Sequence, residues 1–485
     1  MGVGAIAANI TAVEERVGDP EVRVFDSDHD RADAAALEVL RAGVADADLA
    51  APAIVLPDFH HKGDKEMPSS ITIATRDTVR PIFTAPSVNC GMALVALDIE
   101  RPDERAISDF YANVRERFPY PTTNRRDLTA DEVVRASTEG SQFAVDRFGV
   151  DPAELDRVEE RGRLDIERFG GADRVRRELP WSVLQLSRIR FATIGPSNHF
   201  IELQEVDEVY DGHAAELLGV TRGQMTMQYH GGGGSLPGEV GLLFGRRKRY
   251  PRAVRAQMAV QKPLYHLGRA RSLEQLRTRL RLYFSDIYPP VPRDSDAGDR
   301  LMLMNTMAMN YGFAFRLAAY MNLRALLAKS FGVRDAHLVV DSPHNSIYEE
   351  EVGGASALVH RHNTARAYSA ERMASHPLFS KIGQAILLPG TNRTSSYLCV
   401  AGSEAERSLY SACHGAGSTI KRFATSGRSG ADPRGRVTLR YDYKGAGPLE
   451  VPQLDDAGID EALTVLVRNG IVRPVARLRP FAVLN

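Results

Sequence analysis

The chain has 485 residues, 43% of them hydrophobic and 25% charged, and carries a formal net charge of −1. This length can bury a large core, and the near-zero charge excludes a global basic field, so any contact with a polyanion must come from local patches. Three cysteines, Cys90, Cys399 and Cys413, exclude a disulfide framework and point to a reducing, cytoplasmic setting; the apolar run 2–10 lacks the basic flank of a secretory signal, and no window approaches the ~20 apolar residues that cross a bilayer, so no membrane association is expected.

In chain order, residues 29–45 read as a helix and 71–75 and 93–97 as short strands. A charged stretch over 130–178 has helical spacing, with Asp151 as N-cap and Pro152 in the first turn of a helix start. Helices follow over 272–283 and 302–329, then strands over 337–341, 385–388, 397–401 and 437–443. Helices and strands alternate irregularly, so the fold class is α/β or α+β. Residues 246–249 (Arg-Arg-Lys-Arg) and the arginines of 269–281 are the densest basic clusters, either a solvated surface or a footprint for RNA phosphates.

Chemistry-bearing residues fall in five separated segments, each at the end of an apolar run beside Gly, Asn or Pro. They are Ser87-Val88-Asn89-Cys90-Gly91-Met92, Gly195-Pro196-Ser197-Asn198-His199-Phe200, Tyr229-His230 followed by four glycines, Asp341-Ser342-Pro343-His344-Asn345, and Cys413-His414-Gly415-Ala416-Gly417. Thiolate and imidazole are natural ligands of divalent transition metals, and loops at strand ends are where a scaffold presents them. A lone histidine is more often a surface or satisfied core residue, and spacing alone does not bring distant segments together. On residues alone, the reading stops at a metal enzyme among other possibilities.

Read in order, Leu56-Pro57-Asp58-Phe59-His60, Cys90-Gly91-Met92, Asn198-His199-Phe200-Ile201-Glu202, His230 before its glycines, His344-Asn345, His360-Arg361 with Arg366-Ala367, Pro389-Gly390 with Ser396-Tyr397, and Cys413-His414-Gly415-Ala416-Gly417 resemble the signatures of the RtcB family of RNA ligases. The resemblance spans about residues 50 to 485. It implies one large catalytic domain over 1–485, with central sheets surrounded by helices, a metal and nucleotide cleft, and a helical insertion at about 130–180.

The implied activity joins RNA ends bearing a 2′,3′-cyclic phosphate or 3′-phosphate to 5′-hydroxyl ends, using GTP and manganese through a covalent histidine–GMP. An archease-type helper is admitted as a partner beside the RNA. By position, His414 resembles the guanylated nucleophile, and Cys90, His199, His230 and His344 resemble the ligands of one or two manganese ions, with the thiolate shared. Asn198 and Glu202 resemble contacts to phosphate and guanine, and Phe200, Ile201, His199, His344 and Asn345 lie beside them. Pro389, Gly390, Thr391, Asn392 and Ser396, with Gly415, Ala416 and Gly417, fall where the family lines its nucleotide pocket.

The departures from the family pattern cluster at the same place. Ser87 stands where a metal-binding Asp is usual, which weakens a second metal site. Gly234 and Ser418 each stand where an arginine would grip phosphate. Asn485 replaces a guanine-reading lysine, and a base-packing tyrosine is replaced near Asp455. Two rival readings follow: a metal-dependent phosphatase or cyclic-phosphate hydrolase, and a non-catalytic RNA-binding paralogue.

Overall fold

A computed structural model of the chain describes residues 21–485 apart from 64, 121–125, 197–198, 245–250, 285–288 and 446. The class is mixed α/β, with several sheets surrounded by helices. The helix expected over 302–329 is longer, Asp296–Phe331, because the Ser295 side chain caps its start on the Gly298 amide and Gly332, at φ 69°, ends it. Between Leu301 and Tyr320 every side chain is buried. A helix apolar nearly all round belongs inside, and this one forms the spine of the largest core.

The main sheet runs in the order Ala385–Leu388, Ser396–Ala401, Val472–Leu484, Phe200–Val209, Met225–Gly231, Gly91–Leu97 and Ala336–Pro343. The long strand Val472–Leu484 also pairs, in parallel, with Val437–Tyr441. Gly91–Leu97 explains why its sequence is apolar without alternation. Ala93, Val95 and Leu97 enter the core around the long helix, while Met92, Leu94 and Ala96 enter a second core on the opposite face.

A second sheet of five strands orders Val22–Val24, Ala53–His60, Ser69–Thr75, Ala355–His362 and Asn345–Val352. A short antiparallel pair, Thr364–Arg366 with Ser411–Cys413, lies beside it and sets Thr364 across from Cys413.

The expected strand over 385–388 has those bounds, and the others differ at their ends: 437–443 stops at Tyr441. The stretch 130–178 is not continuous helix. It breaks into Ala130–Glu139, Ser141–Phe148, three short 3₁₀ turns and Gly171–Glu178, with Gly140 at φ 59° between the first two. Asp151 does cap at Pro152, by accepting from the Ala153 amide, but the element that follows is 3₁₀. No helix among the described residues is long and apolar enough to cross a membrane.

Candidate metal and nucleotide site

Strand register collects four of the five separated segments. Gly91 pairs with Gly231 on one side and with Pro343 on the other, and Phe200 pairs with His230. Four neighbouring strands therefore begin or end at one edge of the main sheet, and Cys90, His199, His230 and His344 sit at that edge or one residue beyond it.

The side chains meet there. Cys90 Sγ lies 3.1 Å from His230 Nε2 and 3.7 Å from His199 Nε2. One ligand atom from each of these three residues falls within 4.8 Å of the others. His344 stands just outside this triangle, its ring centroid 5.1 Å from His230 and 4.0 Å from His414. It is thus the bridge between the thiol–imidazole cluster and the expected nucleophile. Burial holds His199 and His414 each near a pKa of about 4 and pushes the Cys90 thiol up to about 12. Both imidazoles are accordingly neutral near pH 7, with a lone pair available.

What aims Cys90 is a buried ion pair. Arg316, on the long helix, donates from Nε and Nη2 to the Asp341 carboxylate at 2.6–3.1 Å, and from Nη1 to the backbone and side-chain oxygens of Asn89. Asn89 adopts φ 55°, and Cys90 accepts the His344 amide on its carbonyl at 2.9 Å. Gly91 is required by close approach: a Cβ there would lie 2.7 Å from the Ser342 carbonyl and 2.8 Å from the Arg316 guanidinium carbon.

His414 follows Cys413 at the end of the short two-stranded pair, and its ring hydrogen-bonds the Asn363 backbone. The turn after it is well tied. Ala416 donates to the Pro389 carbonyl at 3.2 Å, while the Ser418 and Thr419 amides donate to Asp58 Oδ1 at 2.6 and 3.0 Å. Gly415 packs near Pro389, and Gly417 is exposed.

A polar chain runs from this turn toward Glu202: Gly390 donates to Ser396 Oγ, and Gln204 Nε2 donates to both Ser396 Oγ and Glu202. Burial raises Glu202 to about 8. Thr391 closes a turn with Thr394, Asn392 is part-exposed beside it, Phe200 meets His230 edge-on at 5.7 Å, and Ile201 is buried. Asn345 ties the loops together, accepting from the Asn363 amide and donating to Ser87. Asn198 and the basic run 246–249 lie outside the described residues.

The family model described as tRNA-splicing ligase RtcB matches residues 42–485. The chain belongs to the RtcB family. It is 28% identical over 431 residues to the tRNA-splicing ligase RtcB of Methanopyrus kandleri, an alignment covering 82% of this chain and 41% of that protein. The protein of the same name from Pyrococcus horikoshii is 26% identical over 421 residues (81% and 44%), and that from Thermococcus kodakarensis 25% over 461 residues (89% and 86%). The chain spans less than half the length of the first two and most of the third.

The departures from the RtcB pattern have structural readings. Ser87 uses its hydroxyl on Asn345, and among the described residues no carboxylate joins the Cys90–His199–His230 triangle. Gly234, at φ 75°, lets the loop lie against Phe315 of the long helix, where a Cβ would meet the ring at 2.9 Å. Ser418 Oγ is 3.1 Å from His60 Nδ1, the Asn485 amide oxygen accepts from Arg440, and Asp455 closes a turn on Ser429 and Gly430.

Sequence reading missed His362. It is 2% exposed, and neither ring nitrogen has a hydrogen-bond partner among the described residues. Its electrostatic neighbours are Lys65, His60, His414 and Lys62. An unsatisfied imidazole in such company is an open place for a polar group. The signal was present as the third residue of His360-Arg361-His362, but a buried strand histidine carries no mark of its missing partner.

Proposed function

We propose that the chain is an RNA ligase in which His414 takes a nucleotide from GTP and passes it to the phosphate end of an RNA, for joining to a 5′-hydroxyl end. The observation that carries this reading is the 4.0 Å approach of the His414 and His344 rings, which sets a neutral nucleophile beside the thiol–imidazole cluster.

The donor set of one thiol and imidazole nitrogens fits a borderline divalent cation. Cys90, His199 and His230 would hold it, and manganese is the ion the family resemblance implies. When bound, such an ion supplies positive charge beside the nucleotide phosphates. With Ser87 engaged by Asn345 and no carboxylate joining the triangle among the described residues, one ion is favoured over two.

His414 acts through its own lone pair, its ring held by the Asn363 backbone. The free nitrogen attacks the α-phosphorus, the bond to the β-phosphate oxygen breaks, and pyrophosphate leaves. An oxygen of the RNA 3′-phosphate then attacks the same phosphorus and frees His414. A cyclic end must first be opened by water. The 5′-hydroxyl oxygen finally attacks the activated RNA phosphorus, the nucleoside monophosphate leaves and the hydroxyl proton passes to solvent. His362, with His60 beside Ser418, offers polar contacts to the RNA end group. Glu202 and Gln204 face the base, and the reading admits an archease-type helper and a reducing, cytoplasmic setting.

The test is incubation with α-phosphate-labelled GTP and manganese. A covalent, acid-labile and base-stable label that disappears in His414→Ala is expected, whereas hydrolysis of phosphate ends without any labelled protein would favour a phosphatase instead. Running ATP, CTP and UTP alongside reads the base preference left by Asn485 and Asp455.

A further inference from the structure

The helices Arg252–Lys262 and Leu273–Phe284, joined through the turn Pro263–Leu267, form a basic helical hairpin. Residues 251–284 hold eight arginines and lysines against a single carboxylate, Glu274, in a protein of net charge −1. Arg252, Arg255, Arg271 and Arg277 are exposed. So are several large apolar side chains: Leu264 is 69% exposed, Leu273 73% and Phe284 41%. On the helix Leu273–Phe284, positions 273, 277, 280 and 284 share one face, so leucine, arginine, leucine and phenylalanine alternate along a solvent stripe.

The hairpin is anchored from its inner side. His266 stacks on Tyr283 at 3.6 Å, and the Arg300 guanidinium lies over Phe244 and Tyr265. Two contacts dock it beside the short helix Trp181–Ser187: Gln261 Nε2 reaches Ser182 Oγ at 3.4 Å, and Arg269 donates to the Arg177 and Glu178 carbonyls at 2.8 Å. The only tryptophan of the chain, Trp181, therefore flanks the hairpin, and it is 73% exposed.

Beside Pro251 and Val254 the hairpin borders a trough. A cavity of about 330 Å³ is lined by Pro251 and Val254 at one side and by Leu186, Gly234 and Ser87 at the other. Its one carboxylate, Glu239, is held by Gln257 Nε2 at 3.0–3.1 Å. Ser87 accepts the Cys90 amide on its carbonyl at 3.1 Å, so one wall of this cavity is tied to the backbone that carries Cys90.

We infer that this hairpin, with Trp181, is the docking platform for single-stranded RNA, guiding a strand along the trough to Cys90 and His414. The inference rests on the RNA-ligase reading above. Arginines pair with successive phosphates, and Trp181 and Phe284 offer ring faces on which unpaired bases stack. Charge complementarity favours RNA over a protein partner: eight cationic side chains against one carboxylate suit a polyanion better than a mixed-charge surface does.

Trp181 makes the test direct. Its fluorescence is titrated with an unpaired RNA of about 12 nucleotides, the span of one single-strand site. Saturable quenching that weakens with added salt is expected. In Arg252→Glu/Arg255→Glu and in Arg271→Glu/Arg277→Glu, binding should weaken about tenfold or more, with a salt slope smaller by about one per arginine. Far-UV circular dichroism checks that each variant is folded, and Trp181→Ala, read by anisotropy of labelled RNA, should bind about fivefold or more weakly.

Unaltered RNA affinity in both double variants overturns the inference. So does a change in light-scattering mass in those variants with RNA binding intact, which would make the face a contact between copies. Nucleotide labelling of the unmodified protein is measured alongside. Labelled protein that fails to bind RNA here overturns this inference alone, and RNA binding without labelling overturns the ligase reading alone.

Discussion

Two buried polar clusters lie one residue apart in the sequence and behave oppositely. Around Asn89, Arg316 and Asp341 the partners are complete: the guanidinium fork is divided between a carboxylate and two oxygens of Asn89. Around Cys90 the contacts are those of a donor set: the thiol lies 3.1 and 3.7 Å from the imidazoles of His230 and His199, His344 joins His230 to His414, and beside His414 the ring nitrogens of His362 have no hydrogen-bond partner among the described residues. A closed polar network holds a shape, and an open one awaits a ligand. Here the closed cluster positions the open one, because Arg316 fixes the backbone from which Cys90 projects.

Variants can break this contrast. Arg316→Met should have the largest effect, since it leaves the Asp341 carboxylate buried without its partner. Unfolding by denaturant should show a loss of about 3–5 kcal/mol. A loss below 1 kcal/mol would mean the pair is not the scaffold. Cys90→Ala should instead leave stability nearly unchanged while cutting metal-dependent nucleotide labelling about 100-fold or more, as loss of a ligand group does. Wild-type labelling would remove the thiol from the site.

Glu202→Gln sharpens the contrast through pH. Burial raises the Glu202 pKa to about 8, so its proton is retained in the folded chain where the unfolded chain has already lost it. The destabilisation is therefore absent below the usual carboxylate range, grows as pH rises and is complete above about pH 8. Thermal scans should find the variant and parent equal at pH 5, and the variant more stable by about 2–4 kcal/mol at pH 9. Equal stability at pH 9 would contradict this. The smallest expected effect belongs to His362→Leu. Removing an unpaired buried imidazole should raise stability by about 1 kcal/mol while slowing RNA joining. A destabilised variant would show that His362 is structural.

The sequence carried the site's residue types but not their meeting. Cys90, His199, His230, His344 and His414 were recognisable because thiol and imidazole beside glycine and asparagine are uncommon and occurred in the family's order. Their convergence depends on the pairing of Gly91 with Gly231 and Pro343, and strand register between distant segments has no local signature. Buried strands such as Ala355–His362 and Val472–Leu484 were likewise missed, since a strand that feeds two cores loses the alternation that marks a half-buried one. The long helix was legible from its apolar length, whereas the break at Gly140 needs a positive φ that sequence does not display. His362 was hidden for a third reason: what distinguishes it is a missing partner.

The most direct measurement is mass-spectrometric mapping of the chain after reaction with GTP and manganese. The account predicts a single nucleotide adduct on the peptide that contains His414, absent when Cys90 is replaced by alanine. An adduct on any other residue, or one that forms equally well without Cys90, would contradict it.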